Sequence, residues 1–168
     1  MEPRLRKPYE DASGQNGWVL LAFRLPREPS TPRIALWRKL KRLGAAQLLD
    51  GLVALPLDSR NREQLEWLAD DVIEAGGEAT IWIGELASAE QERQLVARMR
   101  ELVAGDYRAL IAAAEAARSQ NSGRRRSLAR LRRELRRIRQ RDYFPSEERE
   151  LAQQAVEELA AAIETVLS

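Results

Sequence analysis

The sequence predicts an α+β fold, with strands and helices mixed in the first half and helices alone in the second. Three observations carry that expectation. Apolar runs without helical spacing occur at WVLLAFRL, AAQLL, LVALPL and EATIWIGEL, all before residue 87. Between them lie two stretches whose apolar residues recur three and four apart, the spacing of one helix face. From Ser88 onward every apolar repeat has the helical period.

Residues 1–16 are polar and aperiodic, and read as a flexible N-terminal arm. Gly17 then opens WVLLAFRL, a first strand expected to be buried on both sides and ended by Pro26 and Pro29. Thr31 is the expected N-cap of a first helix, with Pro32 tolerated in its first turn. Leu36, Trp37, Leu40 and Leu43 make its apolar stripe, and Gly44 stands where a C-terminal cap belongs. Asp50-Gly51 between two apolar runs predicts a hairpin with a type I′ turn, which needs positive φ at both residues. Pro56 is placed at the end of the third strand, because it cannot donate to a ladder. Asp58 or Ser59 caps a second helix with Leu65, Leu68, Val72 and Ile73 inward, closed by Gly76-Gly77. The fourth strand puts Ile81 and Ile83 on one face and Trp82 on the other.

The order is βαββαβ over residues 17–86. Right-handed crossovers and pairing of neighbours fold that string most simply as a ferredoxin-like sandwich, with strands one and three central and two and four at the edges. The Asp50-Gly51 hairpin speaks against the alternative, a doubly wound parallel sheet. Residues 88–168 form an α-helical extension. Ser88 and Gln91 make a capping box, and Leu95, Met99, Leu102 and Val103 carry a stripe towards Tyr107 and Leu110. SQNSG, residues 119–123, is a linker. A basic helix over residues 124–141 lines up Leu128, Leu131, Leu135 and Ile138. After a turn at Asp142–Pro145, Ser146 caps an acidic helix over residues 146–167 with the seam Leu151, Ala155, Leu159, Ala162 and Val166. Two seams joined by a short turn predict a terminal helical hairpin.

Composition narrows the chemistry. The 168 residues include no cysteine, which removes disulfides, thiol redox chemistry and thiolate metal sites. They include no histidine either, so the usual general base and nucleophile pairs are absent, and no catalytic residue, metal site or cofactor is expected. Asp70-Asp71 and Glu147-Glu148 are adjacent on helices and point in different directions. The longest apolar stretch, Trp18–Phe23, is far below the roughly 20 residues of a membrane helix, and the first residues hold no secretory h-region. The expectation is a cytoplasmic protein that is not an enzyme.

Net charge is only +2, but it is segregated along the chain. Residues 124–141 hold ten arginines against Glu134, a local net of +9, while residues 142–168 hold seven acids against Arg149, a local net of −6. Part of this charge is expected to pair across the hairpin, with Glu147, Glu150, Glu157 and Glu158 as partners. The surplus face is expected to meet DNA, because arginine contacts to phosphate release counterions and give sequence-independent affinity. Its residues are Arg124, Arg125, Arg126, Arg130, Arg132, Arg133, Arg136 and Arg137. A second basic patch on the first helix comprises Arg38, Lys39 and Arg42, with Arg33 and Lys41 beside them. Trp18, Trp37, Trp67 and Trp82 sit at positions that suit a core or an interface. The two edge strands could pair with a second copy, so a homodimer is expected.

Three segments carry a family resemblance. WVLLAFRLPREPSTPRIALWRKLKRLGAAQLLDGLVALP, WLADDVIEAGGEATIW and RLRRELRRIRQRDYFPS are similar to the N-terminal region of ChrB, the bacterial chromate-resistance regulators. The similarity runs from about Gly17 to Ser146. The early segment also resembles PaaX-type repressors, whose corresponding region has a ferredoxin-like fold shared with a CRISPR-associated nuclease. That nuclease uses an aspartate at the end of its first strand, where this chain has Leu25-Pro26, so the resemblance carries no nuclease activity. It implies a DNA-binding transcription regulator controlling a chromate transporter. Without cysteine, any contact with chromate would be arginine recognition of a tetrahedral dianion. The resemblance implies that family members continue into a C-terminal domain, which is expected to be missing here, so the alternative expectation is an interaction module docking a separately encoded partner domain of that type.

Overall fold

The computed structural model describes residues 17–167, and the arm expected over residues 1–16 lies outside them. Within that range the chain is mixed α/β and mostly helical. The first six elements are β1 Trp18–Arg24, α1 Thr31–Leu43, β2 Ala46–Leu49, β3 Leu52–Pro56, α2 Ser59–Glu74 and β4 Glu78–Gly84. Three further helices follow: α3 Ala89–Arg118, α4 Arg124–Gln140 and α5 Glu147–Leu167. The chain divides after Arg93 into two compact units.

In the first unit the strands form one sheet in the order β2-β3-β1-β4, every neighbouring pair antiparallel. β1 and β3 are therefore central, as their continuous apolar runs require. Val19 and Leu21 of β1 stand opposite Leu55 and Val53 on one side and Ile83 and Ile81 on the other. Val19, Leu21, Val53 and Leu55 are fully buried. Among the described residues β4 pairs only with β1, so it is an edge strand; Ile83 is exposed, and Trp82 is 61% exposed with its Nε1 donating to Thr80 Oγ1 at 2.9 Å. Pro56 ends β3 as expected.

The hairpin forms, but not through the expected turn. Neither Asp50 nor Gly51 has positive φ, which rules out type I′, and the β2–β3 register shifts between Gln47 and Leu49. A bulge there adds the twist that a primed turn would have supplied. Gly51 is needed for a different reason. A Cβ on it would lie 2.3 Å from the Phe23 carbonyl oxygen, where β1 approaches so closely that Phe23 N–H donates to Gly51 O at 2.8 Å.

Helix starts shift by a residue where caps compete. The N-cap of α1 is Ser30, not Thr31, and it makes no side-chain cap bond, since the proline in the first turn already lacks one N–H. Gly44 closes α1 in the left-handed region at φ 75°, its N–H reaching the carbonyls of Leu40 and Lys41. Leu36 and Leu40 are buried, and the Trp37 ring meets Phe23 edge-on at 5.8 Å. Asp58 caps α2, accepting from Asn61 N–H at 2.7 Å. Leu65, Leu68 and Val72 are buried, whereas Ile73, about 100° further round the helix, is exposed.

The second unit is a three-helix core rather than a hairpin alone. Val103, Tyr107, Leu110, Ala114 and Ala117 of α3 pack with Leu128, Leu131, Leu135 and Ile138 of α4 and with Ala152, Ala155, Val156 and Leu159 of α5. The expected α4 seam is buried throughout. The α5 seam is rotated from expectation: Ala152 and Val156 are buried, and Leu151 and Val166 are exposed. Leu102 also leaves the expected stripe, at 64% exposure. The turn between α4 and α5 is held by polar contacts. Tyr107 O–H donates to Asp142 Oδ2 at 2.8 Å, Arg149 stands 3.9 Å from the same carboxylate, and Arg100 donates to the Phe144 carbonyl at 3.3 Å. The Asp142 side chain is only 2% exposed. Burial pushes the Tyr107 phenol well above its ordinary range, and its hydrogen bond to Asp142 adds to the shift.

Candidate nucleic-acid interface

The α4 seam commits Leu128, Leu131, Leu135 and Ile138 to the core, which leaves the rest of the helix circumference to arginine. Arg125, Arg126, Arg130, Arg132, Arg133, Arg136 and Arg137 are exposed, and Arg124 is half-buried. They fall in two rows. Arg126, Arg130, Arg133 and Arg137 follow one line at spacings of four, three and four; Arg125, Arg132 and Arg136 follow a second, with Ala129 between. At 1.5 Å of rise per residue the rows run for about 18 Å.

The expected pairing with the acids of α5 does not occur. Among the described residues, no ion pair reaches Arg125, Arg126, Arg130, Arg132, Arg133 or Arg136. Arg137 stands 3.7 Å from Glu134 of its own helix, and Arg124 Nε donates to the Gln120 carbonyl at 2.6 Å. The α5 acids turn to α3 instead. Arg118 meets Glu158 at 2.8 Å and Arg108 meets Glu148 at 3.3 Å, both pairs forty residues apart in sequence, as two parallel helices require. Glu157 accepts from Gln153, which also accepts from Arg139. Closing the core with α3 is what rotates this acidic flank away from α4. Glu148 lies below the ordinary carboxyl range, held there by a backbone N–H, by the Ser146 hydroxyl and by Arg108.

The N-terminus of α4 is also cationic beyond what its dipole favours. It begins at Gly123 in the left-handed region at φ 78°, with no side-chain cap and no acid in the first turn, and Arg124–Arg126 stand at its positive end. The second basic patch is less free. Lys39 binds Asp71 at 2.8 Å and Arg33 donates to the Pro26 carbonyl at 3.2 Å, while Arg38 and Arg42 are exposed. Two residues that sequence reasoning did not single out matter here. Arg108 and Arg118 take the acids of α5, and their ten-residue interval, equal to that between Glu148 and Glu158, was the available signal. Trp67, expected in a core or an interface, is 58% exposed in the folded chain. Among the described residues no three acidic side chains converge as metal ligands would, and no helix is long and apolar enough to cross a membrane.

A four-stranded antiparallel α/β unit and a three-helix unit with one arginine-faced helix define the chain as a two-unit protein with a cationic helical surface. It belongs to the family described as Protein ChrB, N-terminal, which it matches over residues 33–166. It is 31% identical over 164 residues to Protein ChrB of Cupriavidus metallidurans, an alignment covering 94% of this chain and 49% of that relative. The chain thus spans about half the length of the relative it matches. No solved structure matches it.

Proposed function

We propose that the chain is a ChrB-type transcription regulator linked to chromate resistance, and that it binds DNA through the outer face of α4. The observation that carries this reading is the set of exposed arginines without a carboxylate partner among the described residues. Arg125, Arg126, Arg130, Arg132, Arg133 and Arg136 offer contacts to phosphate, with Arg137, 3.7 Å from Glu134, beside them, Arg124 at the helix start, and Arg38 and Arg42 as a secondary patch. Family membership supports a regulatory, non-enzymatic role, and a DNA partner is consistent with a cytoplasmic site of action. The strand order and antiparallel pairing support a ferredoxin-like sandwich for the first unit, and the edge position of β4 supports a homodimer.

The test is duplex-DNA affinity measured against salt by fluorescence anisotropy. Log affinity should fall linearly with log salt, losing about 0.9 in slope for each phosphate contact. Replacing Arg132, Arg133, Arg136 and Arg137 with alanine should flatten the slope by about 3 to 4. A flat wild-type slope, or one indifferent to the four substitutions, sinks the reading.

A second reading has the helical unit docking a partner domain of the ChrB C-terminal type. The exposed Leu102 and Leu151 of α3 and α5 favour it. Co-purification of such a domain, lost in Leu102→Glu while DNA affinity is absent, would select it over the first.

A further inference from the structure

The two helices of the first unit line a groove of which the DNA reading uses only Arg42, as part of its secondary patch. It has a volume of about 430 Å³, within the range of small-ligand sites, and is lined by Lys39, Arg42 and Leu43 of α1 and by Gln64, Trp67, Leu68 and Asp71 of α2. Each set shares one helix face, since the spacings are three, four and seven. Leu68 is buried and Leu43 half-buried, so the apolar part of the lining is partly sequestered from water. The Lys39–Asp71 ion pair crosses between the helices at 2.8 Å, and both residues also line an adjoining depression with Leu25, Pro32, Ala35 and Leu36.

Among the described residues, three lining groups are left without partners. The Trp67 indole is mostly exposed, a costly placement for the largest apolar side chain if nothing covers it. Arg42 and Gln64 make no hydrogen bond or ion pair to any described residue. The pairing of Lys39 with Asp71 neutralises the one lining carboxylate, which leaves the Arg42 guanidinium as the groove's uncompensated charge, and α1 contains no acid to oppose it.

We propose that this groove binds a purine nucleoside monophosphate unit. An indole face stacks a planar base, and aromatic side chains beside cations form such stacking platforms in proteins that bind single strands. A glutamine carboxamide offers one donor and one acceptor in a plane, which matches the N6 and N7 edge of adenine. A free guanidinium takes a phosphate through two parallel N–H bonds. A base, its edge and its phosphate account for all three unpartnered groups. The unit has two sources, a free mononucleotide or an exposed nucleotide of a single strand.

The experiment titrates the full chain with AMP, with adenosine for comparison, and separately with a short oligo-dA strand, following tryptophan fluorescence and heat. Saturable quenching is expected from at least one of them. Trp67→Ala should remove the quench and lower affinity at least tenfold, and Arg42→Gln should abolish the preference for AMP over adenosine. Trp82→Phe, outside the groove, should leave affinity unchanged. The four-arginine alanine variant of α4 should leave AMP affinity unchanged too, so failure of the DNA reading and failure of this one are distinguishable. AMP binding assigns the free nucleotide; oligonucleotide binding alone assigns a strand. No saturable binding of either ligand at millimolar concentration overturns the proposal, and so does AMP binding, or oligo-dA binding to the four-arginine variant of α4, that survives both Trp67→Ala and Arg42→Gln. The substituted side chains are solvent-exposed and outside the core, and unchanged circular dichroism confirms folding of each variant.

Discussion

Gly51→Ala is expected to lower the unfolding free energy by about 3 kcal/mol, the upper part of the range for forcing extra atoms into packed structure. The new Cβ would meet the Phe23 carbonyl oxygen at 2.3 Å, and that atom is backbone in a central strand. Relief requires β1 or the hairpin to move, which breaks the Phe23 N–H to Gly51 O bond and disturbs the register Ala22↔Leu52 beside it. Urea unfolding followed by circular dichroism should show a lower midpoint with an unchanged slope. Gly105→Ala is the control. Gly105 lies inside α3, its nearest neighbour at a Cβ would be the flexible end of Arg108 at 3.8 Å, and alanine there should stabilise by about 0.5–1 kcal/mol. Equal losses at both positions would contradict the close-approach explanation.

Tyr107→Phe is expected to cost about 2 kcal/mol, as for a hydrogen bond to a charged group. The substitution keeps the ring in the three-helix core and removes the phenol that donates to Asp142, whose carboxylate then keeps, among the described residues, only Arg149 at 3.9 Å. The effect depends on pH, with a definite sign. The folded phenol titrates above its unfolded value, so its contribution is complete below the unfolded pKa, about 10, and is lost as pH rises through the folded one. Wild-type stability should therefore decline above about pH 10 while Tyr107→Phe lacks that decline, and the gap between them should narrow there. Thermal unfolding at several alkaline pH values reads it. A gap that stays constant through this range would argue against the phenol–carboxylate contact.

The elements themselves were legible because their signals are local. Pro32, Gly44, Asp58 and the Asp50-Gly51 pair mark helix ends and a hairpin within a few residues, and the α4 seam repeats strongly enough to place all four of its apolar residues. What was not legible depends on residues far apart in sequence. The conformation of Gly51 is set by β1, which lies 28 positions earlier at Phe23. The α5 seam is rotated because α3 completes the core, and a pairwise hairpin reading has no place for a third helix. The same packing sent the acids of α5 to Arg108 and Arg118. The exposed arginine face of α4 was therefore legible from its own repeat, while the compensation expected for it was assigned to the wrong partner. Trp67 shows the other limit, since a helical position that suits a core also suits a groove wall.

The arginine rows of α4 place like charges three and four residues apart, as at Arg126 and Arg130, Arg130 and Arg133, and Arg132 and Arg136. Each such neighbour opposes the helix by about 0.2–0.5 kcal/mol, and no acid at the start of α4 offsets them. Added electrolyte screens this repulsion within a Debye length of about 10 Å at 0.1 M. The melting temperature of the helical unit should thus climb between low and moderate ionic strength, over the same interval in which the proposed grip on a polyanion should weaken. The sequence has traded some cohesion of one helix for a standing electrostatic field, and a bound polyanion would return that cohesion by mass action.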